Sequence, residues 1–184
     1  MLTIRQATEK DIEAILAIYT PYVLKTPITF EYSVPSLEEF KQRVLDTLPN
    51  YPYLVAEDEK QGIVGYAYAH NYKPRKAYDW TVEVTVYVAE AAQGMGAGKL
   101  LYQALEKELA AQQVVNLTAC ITGQNEGSIR FHEALGYKYV GVFEKVGYKF
   151  DTWYDVVWMQ KKLKSKEHRE FIPYSELKDI EYND

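Results

Sequence analysis

Residues 80–102 read WTVEVTVYVAEAAQGMGAGKLLY, and the reading of this stretch decides the fold. Its first half alternates: Val82, Val84, Val86 and Val88 fall on one face, and Thr81, Glu83, Thr85 and Tyr87 on the other. A period of two with β-branched residues is the pattern of a half-buried strand. The second half sets Gly94, Gly96 and Gly98 within a few residues, after which Leu100, Leu101, Leu105 and Leu109 recur at helical spacing. Strand, glycine turn and helix N-terminus together present unpaired backbone N–H groups and a positive dipole end, which suit a phosphate. Glu83 puts a carboxylate on the polar face of the strand leading into that turn.

Downstream, residues 114–121 (VVNLTACI) are an apolar, β-branched run. The 81–88 strand, a helix over 97–112 and this run make a β-α-β crossover, so the two strands are expected to be parallel. Asn125 caps a short helix to about Leu135, and Gly136 stops it. Two more strands, 137–146 and 153–162, are joined around Gly147–Thr152. Upstream, 53–58 (YLVAED) and 63–70 (IVGYAYAH) form a hairpin about Lys60–Gly62, and a basic connection, Lys73 to Lys76, follows it. Ser36 and Glu39 form a capping box that opens a helix through about Leu48. Residues 20–35, broken by prolines, read as a loop with some helical or extended turns. Thr8 and Asp11 open an earlier helix with the stripe Ile12, Ile15, Leu16 and Tyr19, which Pro21 is expected to end. Residues 2–7 are the opening strand, and 164–184 are a charged extension, standing apart from the core, with one candidate helix at Ser175–Glu181.

At 184 residues the chain is one domain with room for a full core. A formal charge of −5 argues against nucleic acid as a partner, because phosphate backbones require clustered Lys and Arg. A single cysteine, Cys120, allows no intramolecular disulfide and fits a reducing cytoplasm. No basic segment followed by an apolar core opens the chain, and no apolar run is long enough for a membrane span. Seventeen tyrosines, broad apolar rings with a polar tip, suit either a lined pocket or an interface.

Two familiar phosphate motifs fail. A Walker A loop needs glycine where Gln93 stands and Ser or Thr where Leu100 stands. The dinucleotide fingerprint GxGxxG needs glycine at Lys99. The pattern that fits is Gln/Arg-x-x-Gly-x-Gly/Ala, here Gln93, Gly96 and Gly98, which resembles the acyl-coenzyme A loop of the GNAT superfamily of N-acetyltransferases. Asn125 followed by SIRFHEALGY at 128–137 is similar to that family's penultimate helix. AYDWTVEVTVYV at 77–88, HEALGY at 132–137 and GYKFDTWYDV at 147–156 resemble its phosphinothricin N-acetyltransferase branch.

The resemblance implies an α+β fold over residues 1–163, a mostly antiparallel sheet with one parallel strand pair, flanked by helices. It implies acetyl-CoA as co-substrate and direct transfer of acetyl to the amino group of a small amino-acid-like acceptor, with no metal. The expected cofactor contacts are Gln93, Gly94, Met95, Gly96, Ala97, Gly98 and Lys99 at the diphosphate, and Val86, Tyr87, Val88 and Asn125 along the arm. Glu83 is the expected general base and His132 the expected acid or proton-relay residue. Phe30, Arg75, Tyr78, Glu83, Thr85 and Tyr102 are expected to line the acceptor pocket. Glu31 and Val84 depart from the branch's basic residue and serine, so other small amines stay open. So do protein or peptide N-acetylation and a non-catalytic acyl-CoA sensor. The branch forms homodimers, and a homodimer is expected here.

Overall fold

The computed structural model describes residues 1–163 and 169–177. Strands β1 (Leu2–Gln6), β2 (Tyr53–Asp58), β3 (Gly62–Asn71), β4 (Thr81–Val88), β5 (Asn116–Thr122), β6 (Lys138–Lys149) and β7 (Thr152–Lys162) form one sheet. Their order is β1-β2-β3-β4-β5-β7-β6. Only β4 and β5 are parallel, as the crossover through helix α3 (Ala97–Ala111) requires.

The alternation along β4 divides its neighbours. Val82 and Val84 pack with Leu101, Leu105 and Leu109 of α3 and with Leu117 and Met159. On the opposite face Tyr53, Val55 and Tyr66 pack with Ile12, Ile15 and Val23 of α1 (Ile12–Lys25) and Phe40 and Val44 of α2 (Leu37–Thr47). Both sheet faces are therefore covered, and the polar side of β4 looks into a tyrosine-rich layer rather than bulk solvent.

The Thr8–Asp11 capping box forms in full, while the Ser36–Glu39 box forms only its Ser36 half because the Glu39 carboxylate pairs with Arg43. The Asp11 carboxylate accepts from the Thr8 N–H at 2.8 Å, opening a short 3₁₀ turn, Glu9–Asp11, that runs into α1. Ser36 Oγ accepts from the Glu39 N–H at 3.2 Å. Pro21 does not end α1, which continues to Lys25. Its missing N–H removes one helical bond, but the next turn is held by tertiary contacts: Val23 is buried, and the Tyr22 hydroxyl donates to the Val88 carbonyl at 2.6 Å. Residues 20–25, expected in a loop, are thus helical, and the loop proper is 26–36.

The β6–β7 turn also differs from expectation. Both strands extend to a two-residue turn at Phe150–Asp151, with φ of 49° and 56°. Positive φ at both positions is the hairpin geometry that normally selects Asn-Gly, so the sequence carried no signal for it. Gly147, read as turn, sits inside β6 at the end of a bulge.

Residues 169–177 lie against the domain instead of standing apart. The Trp80 Nε1–H donates to the Arg169 carbonyl, Gln112 Nε2 donates to the Ile172 carbonyl, and Phe171 packs against Tyr51. Tyr174–Glu176 is a 3₁₀ turn, and the expected helix to Glu181 falls mostly outside the described residues.

Candidate active site

β4 and β5 pair only from Thr81–Glu83 to Asn116–Thr118, and beyond that the strands part. The β3–β4 register runs without a shift from Gly65↔Val88 to Asn71↔Val82, so β4 carries no bulge against β3. Along that ladder the Ala89 N–H donates to the Val64 carbonyl and the Tyr72 N–H to the Thr81 carbonyl. The odd-numbered residues of β4 therefore bond to β3, which turns the N–H groups of the even-numbered residues toward β5: that of Val84 is taken up by the Glu83↔Thr118 pairing, and those of Val86 and Val88 face the gap beyond it. Strand separation, without a bulge, thus supplies these two backbone donors.

Above the gap, Gly94 and Gly96 take φ of 80° and 83°, a conformation that L side chains rarely adopt. Gly96 is the N-cap of α3 with no side-chain cap, and Leu100 N–H, bonded to the Gly96 carbonyl, is the first in the helix to find a partner. The preceding N–H groups are orphans of the helix start. Gln93, Gly94, Met95, Gly96 and Lys99 are exposed, Gly98 is half-buried against Phe131, and Ala97 is buried beneath the turn. No side chain of the turn seals it. Gln93 also borders an apolar hollow of about 570 Å³ between α1 and residues 89–93.

On the other side of the gap lies a cavity of about 300 Å³. Tyr68, His70, Glu83, Thr85 and Tyr87 form its floor, Phe30 its loop wall, and Cys120, Asn125 and His132 its far side. The structure thus brings Glu83, Thr85, Phe30, Tyr87, Val86, Asn125 and His132 together. It does not bring Arg75, Tyr78 or Tyr102 there. Arg75 is exposed in the loop before a 3₁₀ turn, Lys76–Tyr78. Tyr78 stands edge-on against Tyr72, and Tyr102 is buried on the inner face of α3.

Burial of the Glu83 carboxyl raises its pKa, with His70 and Lys73 pulling it partly back. A carboxylate so placed is a stronger base than one in water. The Asn125 side chain caps α4 (Glu126–Ala134) by accepting from the Ser128 N–H at 3.2 Å, so its capping role is in place beside the cavity. His132 is buried, and desolvation lowers its pKa, opposed by its bond to Ser128. Its Nδ1 lies 2.7 Å from the Ser128 carbonyl, which fixes the proton there, and its Nε2 therefore accepts from the Tyr102 hydroxyl at 2.8 Å. At neutral pH this imidazole is uncharged with both nitrogens engaged, an arrangement that holds α4 against α3. Burial pushes the Cys120 thiol up to about 12, with Glu83 adding to the shift, which leaves it a poor nucleophile.

Several residues escaped the sequence reading. His70 faces Glu83 directly across the strands. Lys149 is buried, and its ammonium donates to the carbonyls of Val23, Thr26 and Thr29 at 2.7, 2.9 and 2.8 Å, pinning the loop that carries Phe30. Tyr19 donates to Glu31 at 2.6 Å, and Arg43 pairs with the same carboxylate at 2.8 Å, so Glu31 is spent on bracing that loop. Only the cross-strand and loop contacts of the folded chain reveal these roles.

A family model described as acetyltransferase (GNAT) domain matches residues 4–158. A phosphinothricin N-acetyltransferase of Streptomyces coelicolor is 37% identical, covering 87% of this chain and 95% of that protein. An L-methionine sulfoximine/L-methionine sulfone acetyltransferase of Pseudomonas aeruginosa is 36% identical over 86% of this chain and 92% of its own length. A solved GNAT superfamily phosphinothricin acetyltransferase from Sinorhizobium meliloti, in complex with AcCoA, superposes with a TM-score of 0.88 at 34% identity, covering 95% of this chain and 97% of that one.

Proposed function

The chain belongs to the GNAT acetyltransferase family, and from that premise we propose that it moves acetyl from acetyl-CoA to the amino group of a small amino-acid-like molecule, with Glu83 as general base. The observation that carries this reading is one alignment of parts: an unsealed glycine turn, the Val86 and Val88 N–H groups turned into the β4–β5 gap, and a desolvated carboxylate where the gap begins. The turn's N–H groups and the α3 dipole suit the diphosphate of acetyl-CoA. The Val86 and Val88 N–H groups suit its amide arm and the oxygen that gains charge as the amine attacks. Acetyl-CoA supplies the activated acyl group. Glu83, on the cavity floor, takes the proton that the amine loses as its nitrogen bonds to the acetyl carbon.

His132, uncharged and bonded on both sides, fits a positioning role better than the acid role expected from sequence. The small, walled cavity favours free amino acids and compact amines over a peptide strand. Phosphinothricin and methionine sulfoximine, named for the relatives, are the first acceptors to test. A panel of amines followed by release of the coenzyme A thiol tests the reading: turnover of free amino acids supports it, and thiol release with peptides alone overturns it.

A homodimer is also proposed. β6 is an edge strand, and Val140, Phe143 and Val146 along it are each more than half exposed, an apolar row that a second copy would cover. Light scattering that returns a monomer contradicts this. Reliance on acetyl-CoA and a thiol left unpaired favour a cytoplasmic site of action.

A further inference from the structure

His70 and Glu83 are register partners on β3 and β4, so their side chains leave the same face of the sheet and enter the same cavity. His70 Nε2 lies 3.9 Å from Glu83 Oε1, a separation that a small side-chain rotation closes. His70 Nδ1 lies 3.1 Å from the Asn71 carbonyl, and an N–H there donates to it. That bond puts the proton on Nδ1 and leaves Nε2, the nitrogen beside Glu83, able to accept one. Exposure grades outward along the pair: the Glu83 side chain is 22% exposed and that of His70 41%. The other ionisable groups around the cavity are poor proton carriers near neutrality. Burial raises Tyr19, Tyr68 and Tyr87, holds the Cys120 thiol protonated and keeps His132 uncharged, while Lys73 acts on Glu83 only through its charge.

We propose that His70 is a second proton-carrying residue, whose Nε2 takes from Glu83 the proton that the acceptor amine has given up and passes it to solvent. The inference rests on the reading of Glu83 as base. The step balances: the amine proton moves to a Glu83 oxygen, and the Glu83 O–H bond breaks as an Nε2–H bond forms. The carboxylate is thereby restored, and the imidazolium loses the proton to water at its exposed edge. Imidazole is the side chain suited to this, because it gains and loses a proton near neutral pH. With the Glu83 side chain only 22% exposed on the cavity floor, an outlet at the more exposed His70 is useful once per turnover.

The test compares wild type, His70→Gln and His70→Ala with acetyl-CoA, using L-methionine sulfoximine and phosphinothricin as acceptors. Absence of turnover by the wild type on the whole amine panel defeats the functional reading itself. With the wild type active, His70→Gln is expected to lower kcat about 10-fold or more, with KM for acetyl-CoA unchanged. The pH profile of kcat then loses an ionisation, and added imidazole restores the rate of His70→Ala in proportion to the basicity of substituted imidazoles. A His70→Gln enzyme within twofold of wild type and with the same pH profile overturns the proposal. So does a lowered rate that imidazole leaves unmoved, since that reports lost packing.

Discussion

Phe30 occupies the space that Gly147 leaves empty: a methyl group built on Gly147 overlaps the phenylalanine ring itself. A residue of the β6 bulge thus sets the position of a cavity wall far away in the chain, and Lys149, two residues on, ties down the same loop. Gly147→Ala is predicted to displace Phe30. Overpacking of this kind costs about 1–3 kcal/mol. Because Phe30 is partly exposed and can swing, the larger effect is expected on the KM for the acceptor amine, with the KM for acetyl-CoA little changed. Steady-state kinetics in both substrates measure this.

Lys149→Met retains the aliphatic stem and removes the three charged hydrogen bonds. The carbonyls of Val23, Thr26 and Thr29 are then left without that donor. The predicted loss is about 2–3 kcal/mol, seen as a lower midpoint in chemical unfolding. Proteolysis or hydrogen exchange is expected to show residues 23–30 opening first.

Glu83→Gln preserves size and removes the base. Turnover is predicted to fall about 10²–10³-fold while acetyl-CoA affinity stays near that of wild type. Because burial raises the Glu83 pKa, the acidic limb of kcat/KM for the wild type is expected above the ordinary carboxylate range, with activity gained as pH rises through it. Unchanged turnover removes Glu83 from the mechanism.

Asp11 makes two bonds of 2.8 Å to Arg5, whose hydrogen bonds are the main reason its folded pKa falls to about 2. A depressed carboxylate stabilises the fold above its unfolded pKa, near 3.8, and that contribution disappears as pH falls from there through about 2. Asp11→Asn is predicted to lower stability at pH 7 by about 1–2 kcal/mol, allowing for solvent screening of the partly exposed Arg5. The variant is also expected to flatten the acid limb of the stability curve in that window.

What the sequence disclosed was local. The strand–glycine–helix unit, the 53–70 hairpin and the two N-cap signals each declare themselves within a short run of sequence, and the fold contains them. Pro21 misled because the tertiary hold on Tyr22 and Val23 outweighs a local breaker. The β6–β7 turn was invisible because Phe150 and Asp151 adopt a conformation that their identities do not advertise. His70 could be found only from the cross-strand register, and Lys149 only from contacts more than a hundred residues away in sequence. Arg75, Tyr78 and Tyr102 are expected at the acceptor through resemblance alone, and the fold places all three outside the cavity. Residues 169–177 look like a solvated tail by composition, yet Phe171 and Ile172 give them a reason to dock.

The most direct test of the central claim is calorimetric titration of the folded protein with acetyl-CoA, beside the same titration of Gly96→Ala. An alanine at φ of 83° costs about 1–2 kcal/mol in backbone strain although nothing obstructs its methyl group. The account predicts micromolar binding by the wild type and about tenfold weaker binding by the variant. Absence of any heat of association with the folded wild type, or equal affinities for the two proteins, contradicts a glycine turn that holds the diphosphate.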